Sequence, residues 1–391
     1  MKILSVNAGS SSLKFTLLEL PSEELIVSGT FEKIGIDGSF YTIKYNGEKN
    51  KKEAVLNTHT DAVKILMKEL IDMKILSSYE DLDGVGHRVL HGGDTYFDSI
   101  IVNQDVEDKI EELFPLGPLH NPANLAGIRS FKEILPNIPQ VAVFDTAFHQ
   151  TMDEEEFLYG VPLEWYENFG VRKYGFHGTS HKYISEKMTE LYGEGIKVIS
   201  CHLGNGASLC AIKDGKCIDT SMGFTPLAGF IMGSRSGDID PSIIPFMMKE
   251  KDISAEEVVN ILNKKSGMLA LSGISSDMRD IEEAYLNKDP RCERAMGMYI
   301  KRIADYLSMY NTELEGADYI VFTAGVGENS DIVRDLLIKK FNFMGVKLDE
   351  EKNSTRGIEG IISTEDSTIK VLVLPTNEEL MIAKDTYDLI K

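Results

Sequence analysis

Two arginines in glycine-rich segments are the first residues of this sequence that suggest chemistry. Arg88 lies in GVGHRVLHGG (84–93). If this segment is extended, alternate side chains share a face, so Arg88 and Leu90 lie on the same side. A guanidinium beside an apolar side chain suits a small carboxylate, whose charge pairs with Arg88 while its methyl group contacts Leu90. The surrounding glycines would let such a ligand approach the backbone.

The second arginine, Arg235, lies between small residues in GSRSGDIDPS (233–242). An arginine on a flexible turn is available to the charge of a transferring phosphoryl group. The alternative is structural, because Asp238 and Asp240 follow closely enough to form ion pairs with Arg235.

Three glycine turns beside β-prone runs suggest phosphate binding. The first, in NAGSSSLKF, is predicted over Asn7–Ser12, with Lys14 just after it. The second lies in CHLGNGAS, and the third, AGVGENS, follows a predicted strand at Tyr319–Thr323. Backbone N–H groups in such turns can cradle phosphate oxygens. The GxxxxGK[ST] pattern of a P-loop is absent, and each turn by itself is also compatible with an ordinary connection.

Two acidic residues occupy positions where ligands often bind. Asp145 ends a predicted strand, Gln140–Asp145, and open α/β sheets bind ligands at the carboxyl ends of their strands; its alternative role is a helix cap. Glu378 lies in the first turn of the last helix, which we expect to open with a capping box at Thr376–Glu379. Glu378 is placed to reach a metal ion, or it only complements the helix dipole.

Seven of the eight histidines lie between residues 87 and 202, beside glycine, proline or an acid. We expect about half of them to contribute to an anion-binding lining. The pairs His87/His91 and His177/His181 have H-x-x-x-H spacing, which raises the alternative of zinc. Neither pair carries the HExxH glutamate, and the glycine-rich flanks argue against long helices, so zinc is disfavoured.

The four cysteines contain no CxxC pair, and predicted strands separate the three that lie close in sequence, Cys201, Cys210 and Cys217. We therefore expect incidental reduced thiols, and neither a disulfide framework nor a zinc site.

The elements that must position these residues follow one plan twice. A strand, a glycine turn and a return strand open each half of the chain, and helices follow. Together with a length of 391 residues, more than one core usually serves, this recurrence predicts two duplicated domains that close over one nucleotide.

Charge narrows the choice of partners. The chain has 41 Lys and Arg against 62 Asp and Glu, a formal net charge of −21. A field of this sign repels nucleic acid and anionic membranes, so we expect neither as a partner. The N-terminal apolar run is too short for a signal peptide and no 18-residue apolar stretch occurs, so we expect a cytoplasmic protein.

Taken together, the motifs resemble those of the acetokinase family, in the superfamily of sugar kinases, heat-shock proteins and actin. The matching stretches run through both halves of the chain: NAGSSSLKF, GHRVLHGG, PLHNPAN, VFDTAFHQTM, YGFHGTSH, CHLGNGAS, MGSRSGDIDP, FTAGVGENS and PTNEEL. The resemblance implies an α/β fold of two duplicated actin-like (ribonuclease H-like) domains with a nucleotide cleft between them, usually as a homodimer. The implied domains are residues 1–149, completed by the C-terminal helix 381–391, and residues 150–380.

The resemblance also implies roles for single residues. Asp145 corresponds to a residue assigned an acid/base role, and His177 and Arg235 to transition-state stabilisers. Arg88 corresponds to the substrate-binding arginine, and the apolar acetate pocket falls on Leu90, Leu119, Phe176 and Pro226. The nucleotide-binding residues are Lys14, His202, Leu203, Gly204, Asn205, Gly206, Asp277, Met278, Arg279, Gly325, Val326, Gly327, Glu328 and Asn329. Asn7 and Glu378 correspond to the magnesium site, which Mn²⁺ can also occupy.

The reaction implied is acetate + ATP ⇌ acetyl phosphate + ADP. Because acetate is already ionised at neutral pH, its oxygen needs no general base, and we interpret Asp145 as a group that orients Arg88, magnesium or its waters. Some family members carry valine where Leu90 stands, and leucine should narrow the pocket in favour of acetate. The alternatives are propionate or another short-chain carboxylate as acceptor, and a non-catalytic nucleotide sensor, which predicts loss of the catalytic-type residues that are present here.

Overall fold

A computed structural model describes residues 1–391. The chain folds into two compact units. Residues 1–148 and 377–391 form unit 1, and residues 149–376 form unit 2. None of the helices combines the length and the apolar character needed to cross a bilayer.

Unit 1 is built on a mixed sheet of eight strands. They are β1 (Lys2–Gly9), β2 (Ser12–Glu19), β3 (Glu24–Glu32), β4 (Phe40–Tyr45), β5 (Glu48–Glu53), β6 (Gly84–Val89), β7 (Ile100–Ile101) and β8 (Gln140–Phe144). Their order is β5-β4-β3-β2-β1-β6-β8-β7, antiparallel from β5 to β1 and parallel across β1, β6 and β8.

The helices of unit 1 cover both faces of this sheet with apolar side chains. They are α1 (His59–Asp72), α2 (Gln104–Glu112), α3 (Asn121–Ile134) and the C-terminal helix (Glu378–Ile390). Val63 and Leu66 of α1 are fully buried in one core with Leu4 and Phe15 of the sheet. Val141 and Val143 of β8 form a second core with Ile382 of the C-terminal helix.

The C-terminal helix lies directly on β6, and two glycines of that strand make room for it. A Cβ added at Gly86 would lie 2.2 Å from Thr386 Oγ1 and 2.6 Å from Ile382 Cγ2, and one at Gly84 would lie 2.5 Å from Ile390 Cδ1. These glycines therefore admit a helix, and our expectation that they open the backbone to a ligand was wrong for both. This close packing holds the helix, whose first residue is Glu378, against β6.

Unit 2 contains six strands and eleven helices. The strands are β9 (Lys197–Leu203), β10 (Ala207–Lys213), β11 (Lys216–Thr220), β12 (Tyr319–Thr323), β13 (Gly360–Ile361) and β14 (Lys370–Val373). The helices are α4 (Glu154–Phe157), α5 (Leu163–Phe169), α6 (Gly178–Tyr192), α7 (Ile243–Lys251), α8 (Ala255–Lys264), α9 (Gly267–Ser272), α10 (Met278–Leu286), α11 (Pro290–Glu313), α12 (Ala324–Asn329), α13 (Asp331–Ile338) and α14 (Glu350–Asn353).

The two sheets repeat one topology. The order β11-β10-β9-β12-β14 in unit 2 matches β3-β2-β1-β6-β8 in unit 1, with three antiparallel strands followed by two parallel ones. Each sheet then ends on a short antiparallel strand, β13 or β7. The predicted α/β fold with two duplicated domains is confirmed.

Three local predictions were wrong. AGVGENS is not a turn, because Ala324–Asn329 forms the short helix α12. The last helix is capped by Asn377, whose side chain accepts from the Leu380 N–H, and not by a box that begins at Thr376. A 15-residue helix, Gly178–Tyr192, follows His177 where glycine-rich flanks argued against one, since the glycine lies at its first position and a helical run of polar and apolar residues follows.

Candidate functional site

In unit 1, Arg88 and Asp145 lie together at the carboxyl ends of two parallel strands. Arg88 is on β6, level with Val143, and Asp145 directly follows β8. The Nε of Arg88 lies 3.0 Å from Oδ1 and 3.1 Å from Oδ2 of Asp145, and its Nη2 also donates to Oδ2. The backbone N–H of Asp145 donates to the Val89 carbonyl over 2.9 Å. Asp145 is buried and Arg88 is partly exposed, so the carboxylate holds the guanidinium from the protein side.

Asn7 and Glu378 join this pair from two further elements. Asn7 is on β1, and its Oδ1 lies 3.4 Å from Arg88 Nη1. Glu378 is the first residue of the C-terminal helix. Burial raises the pKa of Glu378 to about 7, repulsion from Asp145 adds to the shift, and Arg88 opposes it.

This oxygen-rich group fits a hard divalent cation. Asn7, Asp145 and Glu378 offer amide and carboxylate oxygens, which are the donors that Mg²⁺ prefers. Burial and, after it, repulsion from Asp145 raise the pKa of Glu378, and a nearby cation would favour its ionised form. The predicted magnesium residues, Asn7 and Glu378, therefore both interact with Arg88. Their side-chain oxygens fit the role of magnesium ligands.

Lys14 lies next to the same group. It is on β2, paired with Asn7 in the β1–β2 register, and its ammonium group forms an ion pair with Glu379. The side chain is half exposed. A cation is thus held beside Glu378.

The two predicted pocket leucines of unit 1 differ in placement. Leu90 is buried and lies one residue beyond the end of β6, so strand alternation does not fix its face relative to Arg88. Its N–H donates to Asn124 Oδ1 over 3.0 Å, and Asn124 Nδ2 donates to the Ala8 carbonyl over 2.8 Å. Leu119 is 68% exposed. Asn124 ties the ends of β1 and β6 together; sequence reasoning missed its role, although it lies in the quoted stretch PLHNPAN.

In unit 2, His177 heads α6 in a left-handed conformation with φ of 61°. Its Nδ1 lies 2.9 Å from Ser208 Oγ, and its ring stacks on His202 with centroids 4.2 Å apart. His181 Nε2 lies 2.8 Å from the same Ser208 hydroxyl. Burial, and after it the neighbouring histidines, lowers the pKa of His181 well below its usual value, so it is a neutral support for this group. Ser208 was not predicted to have a role.

Arg235 lies beside His177 across Gly206. A Cβ added at Gly206 would lie 3.2 Å from Arg235 Nη1 and 3.6 Å from His177 Nε2. Arg235 Nη1 donates to the Pro226 carbonyl over 3.3 Å. Burial lowers the pKa of Arg235, so its positive charge is held at a cost that an anion would offset.

The structural alternative for Arg235 is contradicted, because its guanidinium forms no ion pair. Asp238 instead accepts from the Gly229 N–H over 2.9 Å and from the Tyr306 hydroxyl over 2.6 Å. Asp240 accepts from the Ser242 N–H at the start of α7. Both aspartates therefore form their hydrogen bonds with other residues, and Arg235 remains available to an anionic ligand.

The remaining histidines of the GHRVLHGG segment are structural. His87 is buried, packs edge-on against Phe131, and its Nε2 lies 2.9 Å from the Gln140 side-chain amide. Burial lowers the pKa of both His87 and His91 to about 4. Neutral, buried rings of this kind do not line an anion site. Phe176 is also fully buried, and its carbonyl accepts from His149 Nε2 over 3.0 Å.

A cavity of about 600 Å³ in unit 2 is lined by most of the predicted nucleotide segments. The predicted residues on its wall are Gly204, Asn205, Asp277, Met278, Arg279, Gly325, Val326 and Asn329. Sequence reasoning missed other wall residues, among them Glu282, Tyr299 and Arg356. They lie on helices or loops without a glycine motif, so no local pattern distinguished them.

Five predicted nucleotide residues of unit 2 do not line this cavity: His202, Leu203, Gly206, Gly327 and Glu328. The carbonyls of Gly327 and Glu328 each accept from Arg334 Nη1 over 2.9 Å, and Glu328 Oε1 accepts from the Thr376 N–H. Gly327 and Glu328 therefore stabilise the local structure around α12. Their neighbours Gly325, Val326 and Asn329 line the cavity.

Tyr299 gives the cavity a polar group that the protein itself does not satisfy. The residue is buried on α11, and its hydroxyl has no hydrogen-bond partner. A buried hydroxyl without a partner costs about 1–3 kcal/mol, a cost that a polar ligand in the cavity would offset.

Comparison with known proteins agrees with this geometry. The model of the acetokinase family matches residues 2–384. An acetate kinase from Geobacillus kaustophilus is 54% identical over 391 residues, which cover 99% of each chain. The crystal structure of Porphyromonas gingivalis acetate kinase has a TM-score of 0.96 and 45% identity, with 100% of each chain covered. A propionate kinase structure from Francisella tularensis has a TM-score of 0.94 and 40% identity, with 99% of each chain covered. The chain belongs to the acetokinase family.

Proposed function

We propose that this protein phosphorylates acetate with ATP to give acetyl phosphate and ADP, and catalyses the reverse reaction, by direct in-line transfer. The observation that carries the proposal is Arg235, a half-buried guanidinium that forms no ion pair and lies beside His177 and the backbone of Gly206. Such a group is suited to the charge that spreads over the equatorial oxygens of a transferring phosphoryl group. Membership of the acetokinase family supports the same reaction.

ATP and ADP are the co-substrates, and we place the nucleotide in the cavity of unit 2. The backbone of the glycine segments at Gly204 and Gly325 lines this cavity and suits the phosphates and ribose. His177 and Arg235 then meet the γ-phosphoryl group. His177 is fixed for this task by Ser208, which bonds its Nδ1 and leaves Nε2 directed past Gly206.

We assign Arg88 to the acceptor carboxylate. The apolar residues that the family resemblance assigns to the acceptor are Leu90 and Leu119 in unit 1 and Phe176 and Pro226 in unit 2. Asp145 positions Arg88 through a two-pronged hydrogen bond. Acetate is already an anion and does not need a base, so the account requires no proton transfer to Asp145. Fixed orientation of the carboxylate is then the main contribution of the pair.

Asn7 and Glu378 are the residues that would hold Mg²⁺, or Mn²⁺ in its place. When bound, the ion neutralises charge on the nucleotide phosphates. Glu378 must be ionised to act as a ligand, and Lys14 and Arg88 both favour its ionised form.

The acceptor is tested by trapping acyl phosphate with hydroxylamine in the presence of Mg²⁺ and ATP. Acetate, propionate and butyrate are compared by kcat/KM, and we expect acetate to give the highest value. A higher kcat/KM for propionate would make propionate the preferred acceptor instead of acetate. The similarity to a propionate kinase is the reason to test this alternative. ATP hydrolysis without hydroxamate, for all three acids, would reject the proposal.

We also propose a homodimer and a cytoplasmic location. Helix α7 has no buried residue although it carries Ile243 and Phe246, the latter 60% exposed, which favours burial against a second copy. Light scattering after size exclusion should give twice the chain mass of 43.6 kDa. A cytoplasmic location is consistent with ATP as co-substrate and with four free thiols.

A further inference from the structure

Three metal-ligating side chains that have no assigned role in the reaction meet in the core of unit 2. His149, Cys210 and Cys217 are all fully buried. Cys217 Sγ lies 3.2 Å from His149 Nδ1 and 3.4 Å from Cys210 Sγ, and Cys210 Sγ lies 4.0 Å from His149 Nδ1. These are three ligand atoms in one compact triangle.

The hairpin of β10 and β11 brings the two cysteines together. The strands are antiparallel, and Ile212 pairs with Cys217 beside a register shift between Ala211 and Ile212. Cys210 lies two residues before Ile212 on the same face of β10, so Cys210 and Cys217 are diagonal neighbours on adjacent strands. Our expectation that the strands separate these thiols was therefore wrong, since the hairpin places them on neighbouring strands.

His149 is oriented by the loop that leads to His177. Its Nε2 lies 3.0 Å from the Phe176 carbonyl, and a carbonyl can only accept, so Nε2 carries the proton. Nδ1 therefore presents its lone pair to the two sulfur atoms. Gly175, with φ of +75°, packs flat against the ring, because a Cβ there would lie 2.7 Å from His149 Cδ2. A backbone carbonyl behind a histidine is the usual support of a metal-ligating imidazole.

The size of the triangle fits a metal ion. A point equidistant from the three atoms lies about 2.1 Å from each, and zinc–nitrogen and zinc–sulfur bonds are about 2.0–2.3 Å. Two thiolates would also balance the charge of a divalent ion in this buried place.

The two thiols are already inequivalent. Burial alone would raise the pKa of Cys217, but the hydrogen bond that its Sγ accepts from Cys210 lowers it. Cys201, equally buried, has only burial acting on it, and its pKa is raised. Cys201 is therefore a matched thiol without the cluster.

We propose that His149, Cys210 and Cys217 form a binding site for a thiophilic d¹⁰ cation, Zn²⁺ or Cu⁺. Binding forms one metal–nitrogen and two metal–sulfur bonds and releases the two thiol protons to solvent. Apparent affinity therefore rises with pH. The site does not depend on the proposed function. Occupancy fixes the His149 ring and, through the Phe176 carbonyl, the backbone next to His177.

The test titrates the full-length, reduced, chelator-treated protein with Zn²⁺ in one arm and with Cu⁺ in the other, against a competing chelator. We expect one ion per chain in at least one arm, and affinity roughly 100-fold or more weaker in Cys217→Ser and Cys210→Ser. Cys201→Ser is the control and should bind like the parent protein. Circular dichroism of each variant verifies its fold.

A second measurement avoids variants altogether. Co²⁺ added to the unaltered protein reports the site in the zinc arm through thiolate-to-cobalt charge-transfer absorption, which Zn²⁺ should displace. The proposal is overturned if neither cation binds, if Cys201→Ser loses the ion as fully as Cys217→Ser, or if protein purified without reductant contains a Cys210–Cys217 disulfide.

Discussion

Asp145 accepts hydrogen bonds from both the Nε and the Nη2 of Arg88, with Nε 3.0 Å from its Oδ1. A carboxylate held in this two-pronged way fixes the plane of the guanidinium. It is poorly placed to take a proton from a substrate as well. Asp145 therefore acts through Arg88 in this account, and the nucleophile needs no base because it arrives ionised.

The first prediction concerns the pH dependence of Asp145→Asn. The amide cannot hold the guanidinium by charge, so we expect kcat to fall by roughly 10²-fold or more, with no new basic limb in the pH–rate profile. Glu107→Gln is the control, since Glu107 is another buried acid, on helix α2, and is paired with Arg129 and Lys132 instead of Arg88. Recovery of activity at high pH, or with an added external base, would assign Asp145 a proton-transfer role.

The second prediction separates transition-state from ground-state binding at Arg235. Arg235→Ala should lower kcat by roughly 10³-fold and change KM for acetate far less, because we propose that the guanidinium contacts the phosphoryl group during its transfer. Arg302→Ala removes an exposed arginine of the same unit, paired with Asp305, and should leave both constants unchanged. A large rise in KM with kcat retained would move Arg235 to ground-state binding.

The third prediction concerns acceptor size. Leu90→Val shortens a buried side chain near Arg88, so we expect the ratio of kcat/KM for propionate to that for acetate to rise by about 10-fold. Leu66→Val removes a similar volume from a buried position on α1 that we do not assign to the acceptor pocket. It should leave the ratio of the two kcat/KM values unchanged. An unchanged ratio in Leu90→Val would place the methyl group of the acceptor elsewhere.

The fourth prediction tests the nucleotide cavity through Tyr299. If a bound nucleotide satisfies its hydroxyl, Tyr299→Phe should raise KM for ATP about 5-fold to 10-fold, the effect of one lost hydrogen bond. Tyr310 is on the same helix, is equally buried, and also has a hydroxyl without a partner, but it does not line the cavity. Tyr310→Phe should leave KM for ATP unchanged, and equal effects of the two substitutions would argue against a specific contact.

The fifth prediction follows from the close packing of the C-terminal helix. Gly86→Ala places a methyl group against Thr386 and Ile382, so we expect the free energy of unfolding to fall by about 1–3 kcal/mol and the apparent affinity for Mg²⁺ to weaken as Glu378 shifts. Gly297→Ala is the matched control: it lies in α11 with no atom within 4 Å of an added Cβ, and should be neutral or stabilising by about 0.5–1 kcal/mol. If Gly86→Ala loses stability but keeps the same apparent affinity for Mg²⁺, that result would argue against Glu378 as a metal ligand.

Much of the fold was predictable because its signals are local. The strand over Tyr319–Thr323 and the helix at the C-terminus follow from β-prone and amphipathic runs, and the repeated hairpins indicated two similar domains. Strand β5, Glu48–Glu53, was missed because all six of its residues are exposed and most are charged, so only pairing with β4 makes it a strand.

The candidate site was predictable where single residues carry the chemistry, and not where contacts between distant segments decide. Arg88 and Asp145 were named from their own segments, yet only the parallel pairing of β6 and β8 brings them together. The availability of Arg235 depends on Tyr306, which lies far along the chain and bonds Asp238. No local pattern carries that information.

A ³¹P NMR time course with acetate, ATP and Mg²⁺ tests direct phosphoryl transfer to acetate. We expect acetyl phosphate and ADP to appear in equal amounts as the γ-phosphate signal of ATP decays, and Arg235→Ala to suppress both. Inorganic phosphate released from ATP without acetyl phosphate, or a phosphorylated protein that accumulates before it, would contradict direct transfer to the carboxylate.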